Sequence, residues 1–250
     1  MPPKGPVQRL FFVPDVHLPY ADKRALRTAI QAMAVFQPDQ VILLGDVLDC
    51  YPISFYKKFP GRKTMAQELD IGRRFLRGVS DLLPKARKRY VLGNHEDRWP
   101  NYILEKAPAL FGIVQTLPEL LECKASGWEV VPYKRSMKVG KLHVTHELDA
   151  CGKNAVREDR TNYESNVVIG HVHGMQLFYK GNIRGKTKVA ASFGWLGDPK
   201  KVDYKHRDKA MIDYHHGFGI GYLEPNGNVH LVGVPIVNGA CCIEGEIIRG

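Results

Sequence analysis

The 250-residue chain lacks several features that mark large classes of protein. Its five cysteines are an odd number and form no CxxC pair, which argues against a secreted disulfide framework and a cysteine-based zinc site. No stretch approaches the apolar length needed to span a bilayer, and the N-terminal apolar run of four residues is too short for a signal peptide. We therefore expect a cytoplasmic protein with no membrane partner.

Positive charge is in excess along the chain. The formal net charge is +10, which favours an acidic partner such as nucleic acid or a nucleotide. Solvated lysines that only keep the protein in solution would give the same balance. Several basic segments also contain an aromatic residue, a combination that can stack on bases. They span residues 57–63, 85–90, 179–188 and 198–209.

Repeats and low-complexity tracts are absent, and no linker separates the two halves of the chain. We therefore predict one α/β domain, residues 1–250. Hydrophobic periodicity predicts a β-α-β-α-β beginning. Its strands lie near residues 10–14, 40–45 and 89–93, and its helices at 22–36 and 64–83. A proline-broken helical pattern follows at 99–121. The remainder is mainly predicted as strands, at residues 129–131, 141–145, 167–169, 176–179, 188–193, 218–223 and 229–234.

Five of the predicted apolar strands are followed by polar residues that can bind metal ions. The clusters are Asp15 and His17; Asp46 and Asp49; Asn94, His95 and Glu96; His146 and Glu147; and His171 and His173. Ligands of open α/β sheets bind outside the carboxyl ends of the strands. If these strands share a sheet, all five clusters meet at one edge.

Each cluster taken alone also has an ordinary structural interpretation. An Asp-x-His or Asp-x-x-Asp stretch after a strand is often a turn with a helix cap, and a single histidine is often packed in a core. His171 and His173 point to the same side of an extended chain, so they could bind one ion, serve two ions, or simply pack. Five such clusters together favour a site.

The blocks "DVH", "GDVLD", "GNHE", a single histidine and "GHVH", in this order, resemble the calcineurin-like metallophosphoesterases over about residues 11–174. The resemblance implies a central β-sandwich of two mixed sheets flanked by helices. It also implies hydrolysis of a phosphoester by a hydroxide that bridges two metal ions.

Seven candidate ligands exceed the capacity of one ion, which takes about four to six. The resemblance implies two ions that share the Asp46 carboxylate. One ion is expected to take Asp15, His17, Asp46 and His173, and the other Asp46, Asn94, His146 and His171. Oxygen and imidazole donors without a thiolate suit divalent transition metals, for which we expect Mn²⁺ ahead of Fe, Zn²⁺, Co²⁺ or Ni²⁺.

Three further residues are candidates for catalysis and substrate binding. We expect His95 to donate a proton to the leaving oxygen or a hydrogen bond to the phosphoryl group. The resemblance implies that Asp49 orients this histidine, although Asp49 could also be a helix cap. Arg98 could bind phosphate or form an exposed ion pair with Glu96 or Asp97.

Two positions near the fourth block differ in expected role. His143 is expected to pack rather than bind metal, because it lies on the opposite side of its strand from His146. Glu147 stands where the family commonly has glycine, and it could support a ligand or narrow the entrance for substrate.

The substrate class is predicted from two positions that depart from the patterns of related phosphatases and from the net positive charge of the chain. Cys50 and Tyr51 stand where the phosphoprotein phosphatases and dinucleoside tetraphosphatases carry Arg-Gly, which argues against both. We expect a phosphodiesterase that acts on nucleotides or nucleic acid. The alternatives are a broad phosphomonoesterase and a non-catalytic nucleic-acid-binding protein with a vestigial metal centre. Residues 195–219 are expected to form a substrate-side insertion, and the oligomeric state is left open.

Overall fold

The computed structural model describes residues 5–148, 156–157, 165–181, 183, 185–201 and 213–250. The strands in this part are β1 (Gln8–Val13), β2 (Gln40–Leu43), β3 (Arg87–Val91), β4 (Trp128–Val131), β5 (Met137–Val139), β6 (Leu142–Val144), β7 (Asn166–Ile169), β8 (Met175–Gly181), β9 (Thr187–Phe193), β10 (Gly217–Leu223), β11 (Val229–Pro235), β12 (Ala240–Ile243) and β13 (Glu246–Arg249). The α-helices are α1 (Lys23–Phe36), α2 (Met65–Leu82), α3 (Arg98–Lys106) and α4 (Leu117–Leu120).

The strands form two mixed sheets and a separate hairpin. The first sheet has the order β11-β10-β1-β2-β3-β4, in which β1 to β4 are parallel, β10 pairs antiparallel with β1, and β11 pairs antiparallel with β10. The second sheet has the order β5-β6-β7-β9-β8, with β6, β7 and β9 parallel. Strands β12 and β13 pair with each other as a separate two-stranded hairpin.

Apolar residues from both sheets pack together in the middle of the molecule. Phe12 of β1 and Ile42 of β2 share a buried cluster with Val144 of β6, Val168 of β7 and Phe193 of β9. The sheets therefore stack face to face as a sandwich. This confirms the predicted fold, a central sandwich of two mixed sheets with helices at its flank.

Helices α1 and α2 pack on the outer face of the first sheet. Their buried residues join those of β1, β2 and β10 in a second apolar cluster. Asp22 begins α1 by accepting hydrogen bonds from the backbone N–H groups of Arg24 and Ala25. Thr64 and Gln67 begin α2 with a reciprocal pair of hydrogen bonds between side chains and backbone.

The predicted elements lie close to the observed ones. Gly72 lies within α2, where a Cβ atom would meet the side chains of Leu48 and Leu121 at 2.8 Å, so the close packing favours glycine there. The broken pattern of residues 99–121 becomes two helices with a 3₁₀ turn at Pro108–Leu110 between them. Of the proposed insertion at 195–219, residues 202–212 lie outside the described part of the chain.

Candidate metal centre

The five polar clusters meet where the carboxyl ends of strands from both sheets come together. The first sheet supplies the clusters that follow β1, β2 and β3, and the second sheet supplies those that follow β6 and β7. The sequence argument placed all of them on one sheet edge on the condition that the strands shared a sheet. The structure instead brings two edges together across the sandwich, linked by hydrogen bonds from the His171 backbone N–H to the Asp15 carboxylate.

Five of the seven candidate ligands have left-handed backbone conformations. Their φ angles are 33° for Asp15, 52° for His17, 49° for Asp46, 63° for His171 and 55° for His173. Such conformations cost residues other than glycine about 1–3 kcal/mol each and persist where the surrounding structure holds them. Their concentration at the strand ends indicates that the chain is held in strained turns to aim these side chains at one another.

Glycines in three of the sequence blocks make room for these side chains. A Cβ atom at Gly45 would lie 2.3 Å from Nδ1 of His146, and one at Gly93 would lie 2.2 Å from Oδ1 of Asp46. A Cβ atom at Gly170 would meet the Leu44 carbonyl oxygen at 2.6 Å. These close approaches explain why glycine directly precedes Asp46, Asn94 and His171.

The potential ligand atoms of the described residues fall into three overlapping groups, two of which share one carboxylate. The atoms of each group lie within 4.8 Å of one another. The first group consists of Asp15, His17, Asp46 and His173, and the second contains Asp46, His146 and His171. A third group contains His17, Asp49 and His95. His143, which was expected to pack, is not a member of these groups.

The first group is fully buried and closely spaced. Nε2 of His17 lies 3.2 Å from Nε2 of His173, which in turn lies 3.5 Å from Oδ1 of Asp15. Nε2 of His17 is also 4.0 Å from Oδ2 of Asp46. Burial lowers the pKa of His17 and brings that of His173 down to about 3. Both rings are therefore neutral at pH 7, the form in which imidazole binds a metal.

Asn94 joins the second group through its side-chain oxygen. Oδ1 of Asn94 lies 2.9 Å from Nε2 of His146 and 3.0 Å from Nδ1 of His171. Nε2 of His146 is 3.4 Å from Oδ2 of Asp46. Nδ1 of His146 lies 2.7 Å from the Leu44 carbonyl oxygen, to which only an N–H can donate. In the neutral ring that binds a metal, this contact keeps the proton on Nδ1 and leaves the Nε2 lone pair facing the group.

The buried carboxylates of the centre are arranged so that bound cations would stabilise their negative charge. Burial, together with the neighbouring Asp46, raises the pKa of Asp15 to about 6 against the lowering effect of nearby histidines. Burial alone would lower the pKa of His146, but the charge and hydrogen bond of Asp46, the charge of Asp15 and the Leu44 carbonyl together outweigh it and raise that pKa to about 10. Two buried carboxylates side by side among imidazoles, with no thiolate in the groups, fit divalent cations.

Asp49, His95 and Arg98 form a connected unit beside these groups. The Asp49 carboxylate lies 3.1 Å from Nδ1 of His17 and 3.3 Å from Nδ1 of His95. Nδ1 of His95 is 2.8 Å from the Asp49 carbonyl oxygen, and Arg98 donates to that oxygen as well at 2.7 Å. Nη2 of Arg98 is 3.0 Å from Nε2 of His95. Arg98 therefore contacts the histidine and its carbonyl partner, instead of an acidic neighbour.

The unit holds His95 in one orientation. With its proton on Nδ1, the ring donates to the Asp49 carbonyl oxygen and leaves Nε2 to accept from Arg98. Burial alone would lower the pKa of His95, but the charges of Asp46 and Asp49 overcome both burial and Arg98, so the net shift is upward. Asp49 contacts two imidazoles, one in the first group and one beside it.

Glu96 has a positioning role that the sequence argument missed. Its buried carboxylate accepts hydrogen bonds from the backbone N–H groups of Asp46 (2.9 Å), Leu48 (3.0 Å) and Gly93 (2.8 Å). The side chain therefore ties the turn after β2 to the turn after β3. The only signal in the sequence was its place in "GNHE", which does not show where the carboxylate points.

The second sheet's candidate ligands also have partners, of which Glu147 was considered from the sequence and the aromatic rings were not. Glu147 accepts a hydrogen bond from the Tyr133 hydroxyl, and its other oxygen lies 3.5 Å from Nδ1 of His171. Trp195 stacks on His173 with ring centroids 4.8 Å apart, and Tyr214 meets the same imidazole edge-on at 4.6 Å. The carboxylate that replaces the family's usual glycine thus supports a candidate ligand.

Comparison with known proteins identifies the class. A model of the family described as calcineurin-like phosphoesterase matches residues 8–232, which is most of the chain. The chain therefore belongs to this family. It is a metal-dependent phosphoesterase, a hydrolase whose family and buried Asp and His residues indicate divalent metal ions. Among the described residues, no helix is both long and apolar enough to cross a membrane.

Two phage proteins are similar to the chain along nearly its whole length. The Gene 54 protein of Mycobacterium phage D29 is 25% identical over 274 residues, covering 96% of this chain and 98% of that protein. The Gene 54 protein of Mycobacterium phage L5 is 26% identical over 261 residues, with the same coverage.

Two solved structures resemble the chain at lower identity. Vacuolar Protein Sorting 29 from Cryptosporidium parvum has a TM-score of 0.47 and 14% identity, covering 98% of this chain and 96% of that one. YfcE, a phosphoesterase from E. coli, has a TM-score of 0.42 and 12% identity, covering 90% of this chain and 98% of that one.

Proposed function

We propose that the chain is a dinuclear phosphodiesterase that hydrolyses nucleotide or nucleic-acid phosphodiesters in the cytoplasm. The observation that carries the proposal is the pair of ligand groups that share Asp46. One carboxylate common to two groups supports two adjacent ions better than one. The net charge of +10 supports a polyanionic substrate.

The proposed ligands divide between the two ions. Asp15, His17, Asp46 and His173 would hold one ion, and Asp46, Asn94, His146 and His171 would hold the other. When bound, two divalent ions would stabilise charge on the phosphoryl oxygens and lower the pKa of the attacking water. Mn²⁺ is the proposed metal, since the donors are oxygen and imidazole nitrogen.

The remaining site residues would handle the substrate and the leaving group. His95 would donate a proton from Nε2 to the leaving oxygen when the ring is doubly protonated and Arg98 has turned from Nε2 to the substrate, while the Asp49 carbonyl oxygen 2.8 Å from Nδ1 holds the ring in place. Arg98, whose guanidinium lies 3.0 Å from Nε2 of the same ring, would contact a non-bridging phosphoryl oxygen. The two side chains would thus act on neighbouring atoms of the phosphodiester.

We propose that residues 1–250 form one catalytic domain and that residues 195–219 lie on its substrate side. The contacts of Trp195 and Tyr214 with His173 support this placement for the ends of that segment. An aromatic wall beside a metal ligand would limit access of bulk water and shape the space for substrate.

Hydrolysis of two chromogenic esters tests the proposal. Bis-p-nitrophenyl phosphate is a diester and p-nitrophenyl phosphate a monoester with the same leaving group. The chain should hydrolyse the diester with the higher kcat/KM when loaded with Mn²⁺, and EDTA should abolish the activity. Preference for the monoester would indicate a broad phosphomonoesterase. No hydrolysis of either with Mn²⁺, Fe²⁺, Zn²⁺, Co²⁺ or Ni²⁺ would favour a non-catalytic protein.

Nucleic acid must be assayed beside these esters. Plasmid DNA, single-stranded DNA and RNA should be incubated with the Mn²⁺-loaded chain and with an Asp46→Asn control. Cleavage that requires Asp46 would support the nuclease form of the proposal. Intact polymers together with cleaved bis-p-nitrophenyl phosphate would restrict the substrate to nucleotides or other small diesters.

A further inference from the structure

The loop that leads into α2 leaves three aromatic rings in water. Residues 54–64, called the aromatic loop below, expose 81% of Phe55, 57% of Tyr56 and 60% of Phe59. Exposed apolar residues are ordinary when single, but three in five consecutive positions form a patch. Such a patch indicates a ligand with flat apolar faces.

The same loop is strongly basic. It contains Lys57, Lys58, Arg62 and Lys63 and no acidic residue. Lys57, Lys58 and Lys63 are exposed, and Lys58 and Arg62 lie over the Tyr51 ring at 5.3 Å. Rings alternating with cations complement a polymer that presents both bases and phosphates.

Hydrogen bonds hold the loop in a defined shape. The Tyr51 hydroxyl donates to the Lys57 carbonyl oxygen at 3.2 Å and accepts from the Phe59 N–H at 2.7 Å. Nζ of Lys58 donates to the Tyr56 carbonyl oxygen at 2.7 Å and bonds Oγ of Ser54 at 2.6 Å. A loop already ordered loses less conformational entropy when it binds a ligand.

The aromatic loop lies against turns that carry candidate metal ligands. Only Cys50 separates Asp49 from Tyr51, the residue whose hydroxyl anchors the loop. The Arg62 guanidinium lies 4.7 Å from the ring centre of Tyr20, which follows His17 by three residues. A strand bound on the loop could therefore continue into the metal centre.

A second exposed apolar region has a different charge. Tyr102, Leu110, Phe111 and Ile113 are also exposed in and after α3. The charged side chains of residues 98–116 are Arg98, Glu105 and Lys106, so this region is nearly neutral. Exposed rings without cations do not specify a polyanion, and the region serves as a control.

We propose that the aromatic loop binds single-stranded nucleic acid and delivers it to the metal centre. Bases stack on Phe55, Tyr56 and Phe59, while Lys57 and Lys63 pair with phosphates. The inference rests on the proposed function and narrows its substrate class to single strands. Bases of a duplex are already stacked and paired, so they cannot reach the rings without unpairing.

Fluorescence anisotropy of a short labelled oligothymidylate with phosphorothioate linkages, which slow its cleavage, tests the loop. The Kd of the Mn²⁺-loaded variant Phe55→Ala/Tyr56→Ala/Phe59→Ala for this oligonucleotide should be at least about tenfold higher than that of the unaltered Mn²⁺-loaded chain. Loss of stacking at a single ring alone raises Kd by about five- to hundredfold. The control Tyr102→Ala/Phe111→Ala should bind as the unaltered chain does. Hydrolysis of bis-p-nitrophenyl phosphate by the triple variant should be unchanged, since that ester is too small to span the loop.

Two further variants keep the test decisive if the triple variant folds poorly. Phe55→Trp should retain tight binding, because indole also stacks. Lys57→Ala/Lys63→Ala should reduce the slope of log K against log salt by about 1.4. The inference would be overturned if the triple variant and the unaltered chain bound the oligothymidylate equally. It would also be overturned if the unaltered chain bound the oligothymidylate more tightly after annealing to its complementary strand. Failure of the proposed function would appear separately, as absent hydrolysis of the small diester.

Discussion

The two sheets of the sandwich contribute different chemistry to the metal centre. Within the first and second ligand groups of the described residues, both carboxylates, Asp15 and Asp46, follow strands of the first sheet. The second sheet contributes only imidazoles, those of His146, His171 and His173. The negative charge that would attract the ions is therefore fixed on one sheet, and the other sheet completes the coordination.

This division has a structural basis in the turns. Oδ1 of Asp46 accepts the His95 backbone N–H at 3.0 Å, so its orientation is set by a turn of the same sheet. Asp15 is instead held by the His171 N–H from the opposite sheet. Because Asp46 belongs to both ligand groups, changes there should affect both ions, whereas changes at a second-sheet histidine should affect one.

The largest expected effect is that of Asp46→Asn. Loss of the carboxylate shared by both groups should release both ions and lower kcat/KM at least ~1000-fold, or about 4 kcal/mol of transition-state stabilisation. Elemental analysis of the purified variant and steady-state kinetics measure the two quantities. Asp70→Asn, at an exposed position of α2, is the control and should keep both the metal content and the kcat/KM of the unaltered chain. Full metal occupancy in Asp46→Asn would remove the shared role.

Removal of a second-sheet ligand should have a partial effect. His171→Ala takes a ligand from the second group alone, so about one ion per chain should remain. Activity should still fall by about 100-fold or more, because both ions are needed to clamp the reacting oxygens. Metal content after dialysis separates the outcomes, with His143→Ala of β6 as control. Loss of both ions would mean that the two sheets do not divide the centre as described.

His95→Ala should separate chemistry from metal binding. We expect unchanged metal content and turnover lower by about 100-fold or more, with the largest loss for esters of poor leaving groups. A series of aryl diesters graded by leaving-group pKa measures this dependence. His95→Gln preserves size and hydrogen bonding but cannot donate a proton in the same way. Equal loss across the series would assign His95 to substrate binding instead of proton donation.

Glu96→Gln should lower the stability of the protein by weakening the hydrogen bonds that hold the turns of the first sheet. In glutamine an NH₂ group replaces one of the two oxygens that accept backbone N–H groups. Two donors, the NH₂ and a backbone N–H, then face each other. We expect a loss of about 2–3 kcal/mol in the free energy of unfolding. Urea unfolding of the metal-free chain measures it, with the exposed Glu105→Gln as the matched control. A loss no larger than that of the control would show that the turns hold without Glu96.

The smallest expected effect is that of Tyr133→Phe. The change removes one hydrogen bond to Glu147, which lies beside His171, and should lower stability by about 1 kcal/mol. Activity should fall less than tenfold, because His171 keeps its contact with Asn94. Thermal unfolding and kinetics at saturating Mn²⁺ test this. A defect as large as that of His171→Ala would make the tyrosine part of the centre itself.

Much of the fold could be predicted because most of its strands are apolar and bounded by polar turns. The same pattern drew attention to the seven candidate ligands, which the structure brings together. The three-residue strand β5 and the hairpin of β12 and β13 were missed, since such short stretches carry too little periodicity. The pairing of two sheet edges depends on packing between distant segments, which local pattern does not record.

The supporting contacts of the site were harder to predict than the candidate ligands. Glu96 bonds backbone groups that lie 3 to 50 positions away in the sequence. Trp195 reaches His173 only because β9 lies beside β7 in the second sheet. Residue identity marked the atoms that can bind metal, but the side chains that orient them are specified by tertiary structure.

The most direct test of the central claim is the electron paramagnetic resonance spectrum of the chain loaded with Mn²⁺. Two ions that share Asp46 would lie about 3.5–4 Å apart, close enough for their spins to couple. The account predicts a coupled spectrum at two equivalents of Mn²⁺ that is absent from His171→Ala. A spectrum of isolated ions at full loading, or saturation at one equivalent, would contradict a centre in which one carboxylate of the first sheet joins two metals.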